Sequence, residues 1–236
     1  MISFKNVSFS YEKDELVLNS MDLNLSPGLS LLLGPNGCGK STLLKLAAGV
    51  EKPDSGHISI EGHDLWKDEV ESRRRLAYLP EHPDLTPYAS LKEILNLVCR
   101  LRGEPLKKGR EAFEFFDLQN HAHRTVRELS LGQRRRAIFA TCFVGRPKYI
   151  LLDEPLEGMD RNIQTEILTW IRRHVKNGAA VVVVSHFIEP FIDLASRAVT
   201  IRKGKAVVFK ELSEASDKRL ELLERLSRGM IEESLN

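Results

Sequence analysis

Nine consecutive residues, Gly34-Pro35-Asn36-Gly37-Cys38-Gly39-Lys40-Ser41-Thr42, fit the spacing G-x-x-x-x-G-K-[ST]. Those residue types in that order suit one task, holding a polyphosphate. The glycines let consecutive backbone N–H groups turn toward an anion. Lys40 adds a point charge for the outer phosphates, and Ser41 offers a hydroxyl to a magnesium ion. A helix beginning at Lys40 aims the positive end of its dipole at the same anion. A second run, Tyr149-Ile150-Leu151-Leu152-Asp153-Glu154, is apolar and ends in two carboxylates. The end of a buried parallel strand is where α/β folds place ligand chemistry. There Asp153 can hold magnesium through its water shell. Glu154 can take a proton from water attacking a γ-phosphate. Alone, two acids before Pro155 could equally begin a loop; beside a phosphate loop they read as a hydrolytic pair. A third segment, Leu129-Ser130-Leu131-Gly132-Gln133, opens a helix that Ser130 can cap. The N–H groups behind it are free to grip a phosphate, and the spacing does not say whose.

Positioning these groups requires alternating strands and helices. Leu29 to Leu33 reads as a buried strand before the phosphate loop, and Leu43, Leu44, Leu46, Ala47 and Ala48 give the following helix a buried face. The chain opens with β alternation at Ile2, Phe4, Val7 and Phe9, then at Met21, Leu23 and Leu25, and again at His57 to Ile60 after the turn Pro53 to Gly56. Leu76 to Leu79 is a further apolar strand. From Pro83 to Arg146 the period becomes helical, with Leu91, Ile94, Leu95 and Val98, then Ala112, Phe113, Phe115 and Phe116, then Ala137, Ile138, Ala140 and Thr141. Strand and helix alternate again through Ile163 to Val175 and the all-apolar Ala179 to Val184. Ala198 to Phe209 predicts a hairpin turning at Lys203-Gly204, and Leu220, Leu223, Leu226 and Met230 a last amphipathic helix.

The bulk properties fit this organisation. The 236 residues suffice for one large domain or a core with a subdomain, and 42% hydrophobic with 29% charged residues is ordinary for a globular protein. A net charge of +2 does not point to nucleic acid. The triplets Arg73 to Arg75 and Arg134 to Arg136 read as solvated faces, with a membrane-facing role open to either. The unpaired cysteines Cys38, Cys99 and Cys142 suggest a reducing compartment, and Cys38 suits the phosphate loop by its small size. No targeting peptide and no span-length apolar run are evident. His57, His63, His82, His121, His123 and His174 have no metal spacing and read as surface or hydrogen-bonded groups.

Taken together and in order, these segments resemble the nucleotide-binding subunit of an ATP-binding cassette (ABC) transporter. Gly34 to Thr42 matches that family's Walker A motif. Leu129 to Gln133 matches its signature LSGGQ, with Leu131 for the first glycine. Tyr149 to Glu154 matches Walker B with its catalytic glutamate. Glu157 to Asp160 resembles the D-loop, and His186, in Val184-Ser185-His186, the switch histidine. Tyr11 falls where the family stacks an aromatic ring on adenine. The resemblance runs from Ile2 to about Phe209. It implies an α/β fold with a P-loop NTPase (RecA-like) core, an N-terminal antiparallel β subdomain and an inserted α-helical subdomain. The core with its β subdomain would span 1–82 and 147–210, the helical subdomain 83–146 and a C-terminal helical extension 211–236.

The same resemblance implies ATP and Mg2+ as ligands and a second nucleotide-binding subunit, identical or different, lying head to tail. Each ATP would be held by one Walker A loop and by Ser130, Gly132 and Gln133 of the other subunit. Thr42 would touch the α-phosphate and Lys40 the β/γ oxygens, with Ser41, Glu81 and Asp153 toward the metal. Glu154 and His186 would act on the attacking water, and Asp160 would link the two sites. Integral membrane permease subunits would be driven from the cytoplasmic face, with no direct contact to nucleic acid. Glu81 stands where the family usually has glutamine. Together with Leu131, that departure is shared with subunits resembling drug, antibiotic or polysaccharide exporters. Residues from Pro83 to Tyr88 and the next helix could form a groove for a membrane partner. The competing reading is a soluble ABC-type ATPase acting on nucleic acid or ribosomes, whose usual coiled-coil insertions or second cassette are not visible. A small-molecule kinase would have no use for Ser130 and His186.

Overall fold

A computed structural model describes residues 1–12, 15–82, 85–210 and 212–230. Its centre is β3 (Gly28–Leu33), whose alternate residues face two different cores. Leu29, Leu31 and Leu33 face one, and Leu32 faces the other. The parallel neighbours β7 (Tyr149–Asp153) and β8 (Ala180–Val184) are buried along their whole length in the same two-sided way. That is why their sequences are continuous apolar runs rather than alternations.

These strands belong to a six-stranded sheet completed by β6 (Leu76–Leu79), β9 (Ala195–Arg202) and β10 (Lys205–Phe209), in the order β10-β9-β3-β8-β7-β6. All neighbours run parallel except β9 and β10, which form the expected hairpin across Lys203-Gly204. A second, antiparallel sheet has the order β2-β1-β4-β5, from β1 (Ile2–Ser10), β2 (Leu16–Leu25), β4 (Ser55–Ile60) and the two-residue β5 (His63–Asp64). Its apolar residues Ile2, Phe4, Met21, Leu23, Ile58 and Ile60 share a core with Leu43, Leu44 and Leu46 of α1 (Lys40–Ala48). The short β5 and the five-residue α2 (Glu69–Arg73) are too brief to carry a periodic signal and were not legible in the sequence.

Between β6 and β7 lie α3 (Leu91–Arg102), α4 (Leu106–Phe115) and α5 (Leu131–Phe143). A capping box at Ser90 and Glu93 starts α3, with Glu93 Oε2 accepting from the Ser90 N–H at 2.8 Å. Arg102 docks this insert onto the sheet. Its guanidinium donates to the carbonyls of Thr141 at 2.7 Å, Val144 at 2.5 Å and, on β6, Leu76 at 3.3 Å. On the other side Phe143 stacks on Trp170 of α6 (Arg161–Lys176), with centroids 4.6 Å apart.

The last described helix, α7 (Ser216–Ser227), buries Leu223 and Leu226. It stops three residues short of Met230, which is exposed: Gly229, at φ 74°, turns the chain out of the helix. That turn seats Gly229 against the phosphate loop, where a Cβ at Gly229 would lie 3.3 Å from Pro35 Cδ. No described helix is long and apolar enough to cross a membrane. Two residues of the expected groove, Pro83 and Asp84, lie outside the described residues, as do Glu211 and 231–236 of the expected C-terminal extension.

Candidate active site

Four parallel strands, β3, β8, β7 and β6, end at one edge of the larger sheet, in that lateral order. Their carboxyl ends deliver the phosphate loop, Ser185-His186, Asp153-Glu154 and Glu81 to a common rim. The loop leaves β3 at Gly34, whose φ of 143° brings its Cα so near Cys38 that a Cβ would lie 2.8 Å from the Cys38 sulfur. A small residue at 38 and glycine at 34 are therefore one steric requirement. Gly39, at φ 104°, begins α1 in the left-handed region, so no side-chain cap competes for the first N–H groups of the helix. Lys40 Nζ donates to the carbonyls of Gly34 at 2.7 Å and Pro35 at 2.9 Å, which holds its ammonium inside the loop. Gly34, Pro35, Asn36, Lys40, His186 and Arg228 line a hollow of about 460 Å³ at this rim.

Asp153 is buried and bonded to the Ser41 side chain. Burial raises its pKa above the usual carboxylate range, and the nearby charge of Glu81 adds to the rise. The Ser41 bond, Lys40 and Arg135 oppose it. Glu154 follows with φ 48°, a left-handed conformation that costs a residue with a Cβ about 1–3 kcal/mol. Its carboxylate accepts from the His186 N–H at 2.9 Å through Oε1 and from the Ser185 hydroxyl at 3.3 Å through Oε2. The His186 ring lies 3.7 Å from Oε1. Burial lifts the Glu154 pKa, partly offset by the His186 charge, its N–H and the Ser185 hydroxyl. A carboxylate with a raised pKa, aimed at a rim of phosphate-binding groups, is suited to taking a proton from water.

Tyr11 lies beside the loop rather than in it. Its hydroxyl is 3.4 Å from Thr42 Oγ1 and 3.5 Å from Lys45 Nζ, and its ring packs edge-on against Phe9. Half of the Tyr11 surface is exposed, enough for a second ring to stack on it. Ser130 caps α5, accepting from the Gln133 N–H at 3.3 Å, while Leu131 stands 76% exposed. Asp160 caps α6, accepting from the N–H groups of Asn162 and Ile163 at 3.1 Å each. Among the described residues, no hydrogen bond or ion pair joins Ser130, Gly132, Gln133 or Asp160 to the phosphate loop. The structure thus gathers Lys40, Ser41, Asp153, Glu154, His186 and Glu81 on one rim and sets the signature residues apart.

Three contributors escaped the sequence reading. Ser185, whose hydroxyl donates to Glu154, carries no signal of its own beside His186. Tyr78 has its phenol pKa raised by burial and then by Asp153, Tyr11 and Glu81. Arg135 departs from the expected solvated triplet: its side chain is only 12% exposed and points at the rim. Arg134 and Arg136 are half-buried too, donating to the carbonyls of Leu129, Arg127 and Phe116, so the whole triplet departs from a solvated face; an arginine run gives no sign of this, because it depends on how α5 packs.

Among the described residues, no cluster of three or more His, Cys, Asp or Glu could hold a metal by itself. The family described as ABC transporter matches residues 18–157. The Nod factor export ATP-binding protein I of Burkholderia thailandensis is 33% identical over 213 residues, covering 87% of this chain and 69% of that protein. The Fe(3+) ions import ATP-binding protein FbpC of Pasteurella multocida is 32% identical over 207 residues, covering 85% of this chain and 59% of that protein. Among solved structures, the dimeric bacterial ABC transporter cassette MJ0796 superposes with a TM-score of 0.77 at 25% identity, over 89% of this chain and 98% of that one. With its α/β P-loop fold, the chain belongs to the ABC transporter family, as one of its ATP-binding, ATP-hydrolysing cassettes.

Proposed function

We propose that the chain powers an exporter from the cytoplasmic face of a membrane, by pairing with a second cassette around two ATP molecules and driving separate integral membrane subunits. The observation that carries the hydrolytic part is the fixed Glu154 carboxylate, held by Ser185 and His186 on the rim that also presents Lys40 and Ser41. In this reading Lys40 exchanges its loop carbonyls for β/γ oxygens, Thr42 meets the α-phosphate and Tyr11 stacks on adenine. Glu154 accepts a proton from water as its oxygen attacks the γ-phosphorus, ADP leaves, and His186 holds the γ-phosphate. Ser130, Gly132 and Gln133, set apart on the start of α5, reach the partner's nucleotide, and Asp160 faces the partner.

Ser41, Asp153 and Glu81 fit Mg2+. It takes oxygen ligands, binds through one or two carboxylates and draws the rest from water and phosphate, so no larger protein cluster is needed. When bound it would supply positive charge that neutralises the phosphates. Pairing is supported by the dimeric MJ0796 cassette. The outward direction is supported by Glu81 and Leu131 and by the relative named for Nod factor export; the relative named for Fe(3+) import, at similar identity, marks the alternative.

The test is the Glu154→Gln variant with ATP and Mg2+, followed by sedimentation. A dimer is expected, and a strictly monomeric variant overturns the pairing. For the transporter role, the tagged chain drawn from detergent-solubilised membranes should carry a multi-span protein with it. Ribosomes or DNA in its place would support the soluble-machine reading.

A further inference from the structure

Arg135 sits on α5 five positions past Ser130, on the face of that helix turned toward the sheet edge. Its guanidinium makes three contacts on two segments, Glu81 after β6 and the Glu154–Glu157 turn after β7. One amino group donates to the Glu81 carbonyl at 3.3 Å and pairs with the Glu157 carboxylate at 3.2 Å. The other donates to the carbonyl of Glu154. Its Nε is buried without a partner among the described residues, so the group is spent on these contacts rather than shared with water.

The third contact matters because of how Glu154 is held. Its N–H donates to the Val184 carbonyl on β8 at 2.9 Å, and its carboxylate is held by Ser185 and His186, which follow β8. Everything so far ties it to the sheet. The carbonyl is the one group on this strained, left-handed residue that is held from the helical insert. A movement of α5 therefore acts on Glu154 through Arg135 alone among the hydrogen bonds described. The amino end of α5, little more than one turn before Arg135, carries Ser130 and the exposed Leu131. We propose that Arg135 is a positioning residue that transmits engagement of the signature end of α5 to the hydrolytic carboxylate of its own site. Binding of the partner's ATP at the amino end of the helix thus sets Glu154 through the next turn, and the two sites fire in concert. The planar fork is needed because two carbonyls on separate segments are held at once, which an ammonium on a flexible stem does not reproduce.

This inference rests on the proposed roles of Glu154 and Ser130, and the experiment separates their failures. ATP turnover is measured for Arg135→Lys, Glu157→Gln and Glu154→Gln in the full chain with Mg2+, varying ATP. Arg135→Lys should lose about 10- to 100-fold in kcat, the scale of a small misplacement of a catalytic group. Its KM for ATP should change less than twofold, and its dependence on ATP should become non-cooperative. Glu157→Gln, which keeps Arg135 but removes its charged partner, should show the same pattern more weakly. A purely structural arginine would instead lower the melting temperature and leave cooperativity and kcat per folded molecule as in the parent. That result, or a KM effect without a kcat effect, overturns the proposal. Normal turnover in Glu154→Gln overturns the catalytic reading itself, whatever Arg135 does.

Discussion

The side-chain amide of Gln133 is held at both ends, its Oε1 accepting from the Ser130 N–H at 3.0 Å and its Nε2 lying 3.0 Å from Nε2 of His121. An amide nitrogen only donates, so His121 accepts there and carries its proton on Nδ1. Gln133 thus closes a capping box and fastens the signature segment to the turn before it. Gln133→Ala should cost about 1 kcal/mol, the usual worth of such a cap. For a chain of this size that lowers the melting temperature by roughly 2–4 °C. Calorimetry checks it, and an unchanged midpoint would show that the box contributes nothing.

Glu154→Gln keeps the shape of the side chain and removes its basicity. Turnover should fall by about 10²–10⁴-fold while ATP binding persists. Lys40→Ala should weaken nucleotide binding itself, since the ammonium that Gly34 and Pro35 now hold is the group proposed to meet phosphate. Nucleotide titration by fluorescence together with a phosphate-release assay separates the two phenotypes.

His174 supplies a pH dependence of stability. It packs on Trp170, and its Nδ1 lies 3.0 Å from the Trp170 carbonyl. Burial depresses its pKa below the ordinary 6.5; the Trp170 bond resists the fall and Arg173 adds to it. A lowered folded pKa means the unfolded chain binds the proton more readily. This contribution is therefore complete above pH 6.5 and is lost as pH falls through the folded value. Thermal midpoints recorded from pH 7.5 to 5 should decline, and less steeply in His174→Phe. Equal slopes would exclude the histidine as their source.

Ser30 lies in the middle of β3, 1% exposed, with a hydroxyl that has no partner among the described residues. An unsatisfied buried hydroxyl costs about 1–3 kcal/mol. Ser30→Ala should therefore leave stability unchanged or raise it by about 1 kcal/mol. A loss of that size in urea unfolding would reveal a partner such as a buried water.

The phosphate loop, the Asp153-Glu154 end of β7 and the Ser130 cap were legible because each is local. The candidate residues are adjacent in the chain, and their spacing is fixed by one loop or one helix turn. The central strands were legible because two-sided burial leaves no polar residue except Ser30 to break the apolar run. Arg135, Ser185 and Tyr78 were not, because their roles come from which neighbours the sheet order brings beside them. The lateral sequence β3-β8-β7-β6 puts Ser185 against Glu154, and nothing in local periodicity encodes that β8 inserts between strands that precede it. The end of α7 was misjudged because hydrophobic spacing carried Met230 past a glycine that turns the chain away.

The seat of Gly229 on Pro35 has a consequence for how this chain can grow. Gly229 and Met230, the last described residues, follow α7 beside the phosphate loop, with Gly229 against Pro35. A tag or reporter placed there is a neighbour of that loop rather than a bystander, whereas one placed at Met1 starts where the Met1 ammonium donates to the Tyr149 hydroxyl at 2.5 Å, at the amino end of β7 and away from Asp153 and Glu154.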